Sequence, residues 1–245
     1  MSASYEQAEL LYEGKGKKIF AVKGREDLVW MQFKDDLTAF NAEKKGSFSG
    51  KGRLNCEIAS LIFRHLNQFQ IPNHFVETVS DVDMIAKKVE IIPLEVIVRN
   101  WLAGSTAKKF QKQEGEKLET PLQEFFYKDD ALGDPFINDE QALYLKAAQS
   151  LDELRQLKLM AREINGYLCK LFDQAGLKLV DFKIEFGRDP SGGILLADEI
   201  TPDSCRLWDK ETDEKFDKDR FRRDLGKVDE AYASVFERLK KATGE

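Results

Sequence analysis

The chain reads as an α+β protein of two lobes, a small N-terminal antiparallel β-rich lobe over residues 1–93 and a larger mixed C-terminal lobe over 94–245. Three observations predict this. Strand-like apolar alternation crowds the first lobe, helical spacing dominates the second, and 245 residues can bury two lobes sharing a cleft. With 42% hydrophobic and 33% charged residues, a fibrous or disordered chain is excluded.

In order, residues 10–20 read as strand, Gly/Lys turn, strand, and 28–33 as the next antiparallel strand. Residues 41–52, rich in Lys, Gly and Ser, fit a loop, after which Asn55 is placed to N-cap a helix with Ile58, Leu61, Ile62 and Leu66 on its apolar face. Ile71-Pro72 ends that segment. Strands are expected at 75–79, 84–92 and 94–98, with Pro93 breaking the last two at a hinge between lobes. Gly104-Ser105-Thr106 precedes a helix start at Ala107, and 115–135 is polar and punctuated enough for loops around short elements. Ser150-Leu-Asp-Glu153 fits a capping box. It opens a long helix that buries Leu154, Leu157, Ala161, Ile164, Leu168, Leu171 and Phe172 and stops at Gly176. Residues 217–239 repeat the helical pattern with Tyr232, Val235, Phe236 and Leu239 inward.

The segment 181–198 carries the strongest chemical signal. Phe182, Ile184 and Phe186 alternate with Asp181, Lys183 and Glu185, and Asp189-Pro-Ser-Gly-Gly193 supplies a turn, so a hairpin sets Glu185 opposite Asp198. Like charges about 5 Å apart repel by about 3 kcal/mol at an effective dielectric near 20, which calls for a cation between them. Oxygen-only ligands suit Mg2+. A salt-bridged surface hairpin with Lys183 or Arg188 as neighbour is the competing reading, and a one-residue register slip would turn Asp198 away.

Two further segments suit phosphate. Tyr12-Glu-Gly-Lys-Gly-Lys-Lys-Ile-Phe20 puts glycines and lysines between apolar flanks, where backbone N–H groups approach an anion and lysine neutralises it. It lacks the Walker pattern and is closer to the glycine-rich hairpin of kinases. Arg99 ends a strand shortly before Ser105, and Arg206 follows Asp198 within reach of the same anion. An ordinary ion pair and a plain cap remain open for Arg99 and Ser105. Trp208 is expected in the core.

With 38 Lys plus Arg against 44 Asp plus Glu, the net charge of -6 argues against bulk binding to nucleic acid or an anionic membrane. Cys56, Cys169 and Cys205 form no C-x-x-C pattern, so neither a disulfide framework nor a zinc site is suggested and reduced thiols are expected. His65 and His74 lack metal spacing and are read as structural or surface residues. With no leader pattern and no apolar run approaching roughly 18 residues, a soluble cytoplasmic protein is expected.

The ordered blocks Gly14-Lys-Gly-Lys17, Pro93-Leu-Glu-Val-Ile-Val-Arg-Asn100, Ala103-Gly-Ser105, Asp181-Phe-Lys-Ile-Glu-Phe-Gly187 and Ala197-Asp-Glu-Ile-Thr-Pro-Asp-Ser-Cys-Arg-Leu-Trp-Asp209 resemble the bacterial SAICAR synthetase family. The resemblance runs from about Leu10 to Leu239. It implies a kinase-like ATP cleft between the lobes and an ATP- and Mg2+-dependent ligase. That ligase joins CAIR, a carboxylated aminoimidazole ribonucleotide, to L-aspartate through an acyl phosphate in purine biosynthesis. Carried onto this sequence, it gives Lys15, Gly16 and Lys17 to the ATP phosphates, Lys88 and Ile92 to the border of the adenine, and Glu185 and Asp198 to Mg2+. Arg99, Ser105 and Arg206 fall to the CAIR phosphate, Glu95 and Asp181 to the imidazole, and Lys128, Asp181 and Lys183 to the reacting centre. A homodimer is implied as well. A small-molecule kinase would present the same cleft, and aspartate dependence separates the two.

Overall fold

The computed structural model describes residues 5–39 and 43–245 of the chain. Two compact units form, Met1–Glu90 with Gly187–Ala197, and Ile91–Phe186 with Asp198–Glu245.

In the first unit β1 (Gln7–Glu13), β2 (Lys17–Val22) and β3 (Arg25–Phe33) follow one another antiparallel, as the alternation predicts. β4 (Asp36–Ala39) pairs with β5 (Lys44–Ser47) as a separate two-stranded ribbon. The expected loop at 41–52 is therefore part strand, with residues 41 and 42 outside the described ones. α1 (Lys51–Gln68) buries Ile58, Leu61, Ile62 and Leu66, the face read from the sequence. Its start differs from expectation, because Asn55 lies inside the helix and Asp35 supplies the cap from a distant turn. The Asp35 carboxylate accepts the Gly50 N–H at 3.2 Å and the Gly52 N–H at 2.8 Å. A side chain at Gly52 would bring its Cβ within 2.8 Å of the Phe33 carbonyl oxygen, so only glycine lets the helix begin there. β6 (Phe75–Ser80) and β7 (Asp83–Lys87) complete a five-stranded sheet in the order β1-β2-β3-β7-β6.

In the second unit β8 (Glu90–Trp101) runs straight through Pro93, correcting the expected break. Its pairing begins at Leu94 with Tyr127, and the Pro93 carbonyl accepts the Lys128 N–H at 3.1 Å, so the missing proline donor costs no ladder bond there. α2 (Gly104–Lys109) starts three residues earlier than expected. β9 (Lys117–Tyr127) replaces the loops expected at 115–135, and β10 (Phe136–Ile137) pairs with it. Its polar residues misled the reading because much of the strand is only half-buried. α3 (Asp139–Tyr144) leads to α4 (Leu151–Gln174), where Ser150 Oγ accepts the Glu153 N–H at 3.1 Å and the seven expected apolar residues are buried. Gly176 follows at φ 72°.

β11 (Leu177–Arg188) carries Asp181, Lys183 and Glu185. β12 (Ile194–Ala197) follows the 189–193 turn and belongs to the first unit, where Leu196 accepts the His74 N–H at 3.0 Å and donates to Pro72 at 2.9 Å. β13 (Cys205–Asp209) lies antiparallel to the first half of β11. The single helix expected over 217–239 is two, α5 (Asp219–Arg222) and α6 (Val228–Thr243). Asp224, Gly226 and Lys227 all take positive φ between them. Arg220 fills that break by donating to the Gly226 carbonyl at 2.7 Å and the Lys215 carbonyl at 3.0 Å. Tyr232, Val235 and Leu239 are buried, Phe236 half-buried. Trp208 is buried beside Ala103 and Val180, as expected. No helix among the described residues is long and apolar enough to cross a membrane.

Replacing Asp35 with alanine removes the cap of α1 and should lower unfolding free energy by about 1 kcal/mol. Urea unfolding measures this, and an unchanged midpoint would assign the cap no energetic role.

Candidate active site

Two central strands of the second unit present their charges by strand periodicity. Glu95 and Arg99 share one face of β8, and Asp181, Lys183 and Glu185 share one face of β11. Phe182, Ile184 and Phe186 fill the other face of β11 and are at most 1% exposed. The strand is thus buried on both sides, where the sequence suggested one.

Lys183 Nζ donates to Glu95 at 2.5 Å, and Lys128 Nζ donates to Glu185 at 2.5 Å. Asp198 acts electrostatically on Glu185, Lys128 and Lys183 alike. It does so from beyond the end of β12, at φ 63°, and so is not the cross-strand partner that the hairpin register implied. A chain that turns left-handed after the strand no longer obeys its two-residue period, so the feared register slip does not decide where Asp198 points. Burial first, and Asp198 second, push the Glu185 carboxyl above its ordinary value against the pull of Lys128 and Lys183. Burial alone would lower the Lys183 ammonium, but Glu95 and Glu185 overcome it and hold the lysine protonated. Lys128 behaves in the same way, its burial outweighed by Glu185 and Asp198.

Among the described residues no group of three or more His, Cys, Asp or Glu is arranged to hold a metal by itself. The Glu185 and Asp198 pair nonetheless fits Mg2+, which takes one or two carboxylates and completes its shell with phosphate and water oxygens.

A second cluster centres on Asp181, 4% exposed. Its carboxylate accepts from Arg99 Nη1 at 2.6 Å and from Arg206 Nη1 at 2.8 Å and 3.1 Å. Arg99 Nε donates to Glu124 at 2.7 Å, and Glu124 also accepts from Thr106 Oγ1 at 3.0 Å at the start of α2. Arg206 Nε donates to Asp219 at 3.1 Å. Removing one partner from such a buried network costs about 3–5 kcal/mol, because the opposite charge is left behind. Ser105 is exposed within α2, a six-residue helix whose N-cap is Ala103.

In the first unit the lysine turn is held by the Gly14 N–H to Lys17 oxygen bond at 2.9 Å and by Lys34 N–H to the Gly16 oxygen at 2.9 Å. Lys15 is exposed at its tip. Lys88 follows β7, its N–H on the Asp27 carbonyl at 2.8 Å, while Ile92 is fully buried in β8. His74 packs edge-on to Phe63 at 5.3 Å and His65 edge-on to Phe69 at 5.1 Å.

A sequence profile of SAICAR synthetase matches residues 10–239. The chain belongs to the SAICAR synthetase family. The phosphoribosylaminoimidazole-succinocarboxamide synthase of Campylobacter fetus subsp. fetus is 55% identical over 234 residues, 96% of this chain and 99% of that one. A crystal structure of the Ehrlichia chaffeensis phosphoribosylaminoimidazole-succinocarboxamide synthase superposes with a TM-score of 0.92 at 41% identity, covering 95% of this chain and 98% of that chain. A SAICAR synthetase (Type-2) in complex with ADP superposes at 0.91 with 43% identity, covering 97% and 98%. The mixed α+β architecture with antiparallel sheets matches that of these SAICAR synthetases. This family member is an ATP-dependent ligase that forms a C–N bond in purine biosynthesis.

Sequence reasoning missed several carboxylates that pair with Arg99 and Arg206 or lie beside them. Glu124 lay in a stretch read as loop, and Asp217 and Asp219 lay in one read as the outer face of a helix. The one available signal was the pair of carboxylates in Phe216-Asp-Lys-Asp219 just before an arginine-rich turn. Asp217 is fully buried and accepts the N–H groups of Leu207 and Asp219, both at 2.7 Å.

Burial, reinforced by Asp219, pushes the Asp217 carboxyl up to about 7, against about 4 in an unfolded chain. A carboxyl that holds its proton more tightly when folded stabilises the fold at low pH, and this contribution drains away as pH rises from about 4 towards 7. Stability of the wild type relative to Asp217→Asn should therefore fall across that window and level off above it. Urea unfolding at several pH values reads this, and parallel profiles would rule it out.

Proposed function

We propose that this ligase condenses CAIR with L-aspartate to give SAICAR, ADP and phosphate by way of an acyl phosphate. The observation that carries the chemistry is the gathering of Glu185, Asp198, Lys128, Lys183 and Glu95 into one electrostatic cluster. Such a cluster suits a reaction in which a carboxylate and a polyphosphate, both anions, must meet. In the first step a CAIR carboxylate oxygen attacks the ATP γ-phosphorus and ADP leaves. The aspartate amine then attacks the acyl carbon, the C–N bond forms, phosphate departs and the amine loses a proton. Positioning and charge stabilisation are what both steps need, so the scheme requires no nucleophilic triad.

In this reading Lys15, Gly16 and Lys17 hold the ATP phosphates in a kinase-like manner, with Lys88 and Ile92 beside the adenine. Residues 1–93 supply that clamp and 94–245 the remaining groups. Glu185 and Asp198 hold Mg2+, which when bound supplies neutralisation of the crowded phosphate oxygens. Lys128 and Lys183 stay protonated, as their carboxylate neighbours favour, and offset charge on the reacting anions. Arg206 and Ser105 take the CAIR phosphate with Arg99 behind them, Glu95 faces the imidazole, and Asp181 acts by holding both arginines. The reading extends to a homodimer, and to the cytoplasm, where three free cysteines would stay reduced.

Release of ADP should require both CAIR and aspartate, each omitted in turn. Turnover with CAIR alone to a stable phosphorylated product would favour a kinase. Asp198→Ala should fold yet lose at least about a hundredfold in kcat. Mg2+ should raise the melting temperature of the wild type with ADP present and leave that of the variant unmoved, and equal shifts in both would remove Asp198 from the metal site.

A further inference from the structure

Five residues of the second unit close a ring in which only Arg206 has a part in the reaction scheme above. The Gly104 N–H donates to Glu114 Oε1 at 2.9 Å. Arg223 Nη2 donates to the two Glu114 oxygens at 2.7 Å and 2.9 Å, and lies 3.5 Å from Asp219 Oδ2. That same Asp219 oxygen accepts Arg206 Nε at 3.1 Å. Arg206 then returns to the starting point, since a Cβ at Gly104 would stand only 2.5 Å from its Nη2. Gly104 sits at φ 60°, so the close approach and the left-handed turn both require glycine.

We propose that Glu114, Arg223 and Asp219 are positioning residues that set Arg206 and the Gly104–Ser105 turn at the spacing one phosphate group needs. The proposal rests on the assignment of the CAIR phosphate to Arg206 and Ser105 given above. Arg206 has its Nε committed to Asp219 and its Nη1 to Asp181, and Nη2 makes no hydrogen bond among the described residues. The donor left over is thus the one pressed against Gly104, next to Ser105. The guanidinium cannot swing off that turn without breaking two buried carboxylate contacts. The turn cannot move off the guanidinium without breaking its bond to Glu114. Arg223 joins the two restraints.

A surface ion pair as such contributes little to stability, and Glu114 and Arg223 are 30% and 39% exposed in their side chains. Geometry is the better account of this pair, because Glu114 spends one oxygen on a backbone N–H as well as on the arginine. Asp219, 2% exposed, is shared by Arg206, Arg222 and Arg223. Of these three guanidiniums, Arg206 and Arg223 each have a second carboxylate, Asp181 and Glu114, so Arg223 is held from both ends between Asp219 and Glu114.

Steady-state kinetics on Glu114→Gln, Arg223→Gln and the double variant test this, with CAIR and its 5′-dephosphorylated nucleoside as alternative substrates. Each single change should raise KM for CAIR about tenfold, leave kcat and the KM values of ATP and aspartate within about twofold, and shrink the preference for CAIR over the nucleoside by the same factor. The double variant should be no worse than the worse single, because a ring opens only once. Unchanged KM for CAIR in Arg223→Gln, multiplying effects in the double, or a joint rise of all three KM values with a lowered melting temperature would overturn the proposal. Arg206→Gln run alongside separates the two failures. If it too leaves KM for CAIR unchanged, the phosphate assignment itself falls. If it raises KM while Arg223→Gln does not, only the ring falls. Should Glu114→Gln fold poorly, Arg223→Gln, at a more exposed position, decides alone.

Discussion

Two guanidinium groups cannot be buried side by side unless an anion lies between them, and Asp181 is that anion for Arg99 and Arg206. Arg99 extends the restraint to β9 through Glu124, and Arg206 extends it from β13 to α5 through Asp219. Four elements are thereby tied to one carboxylate on β11. The energetic value of such a network over an apolar core is small, but the loss of any one member leaves a buried charge uncompensated. What it achieves is a fixed direction for Arg206.

The neighbouring cluster follows the same physics with the signs exchanged. Glu185 and Asp198 repel, and Lys128 and Lys183 make their proximity tolerable. Opposed charges held in place in a poorly solvated setting need little rearrangement, which is the condition under which fixed charges act most strongly on a reaction. Glu95 and Glu185, two strands' worth of carboxylate, each keep a lysine at 2.5 Å.

Elements whose stability is local were legible in the sequence. The α4 cap at Ser150, its seven buried apolar residues and its glycine stop all follow from spacing along one helix. The β1 to β3 hairpins follow from alternation and turn chemistry. Misreadings arose where burial or a side-chain contact departed from the local pattern. Asp35 starts α1 four residues before Asn55, the half-buried polar strand β9 looked like loop, and Arg220 stabilises a break inside what reads as one helix. Asp35 acts from 17 residues away on Gly52, and Arg220 acts across the six residues to Gly226 through a side chain that no backbone periodicity registers.

By itself the sequence determined the chemistry on offer: which strand carries Asp181, Lys183 and Glu185, that glycines and lysines share one turn, and that the ordered motifs are those of SAICAR synthetases. Periodicity suffices for that, since neighbours along a strand must share or alternate faces. Only the tertiary structure decided who pairs with whom. Asp181 came to lie between two arginines, Asp198 came near Glu185 through a left-handed turn rather than a strand register, and Glu114, Asp217, Asp219 and Arg223 came together around Arg206 from segments outside those motifs. A charge finds its partner by distance through space, and that distance is set by how strands and loops far apart in the chain fold together.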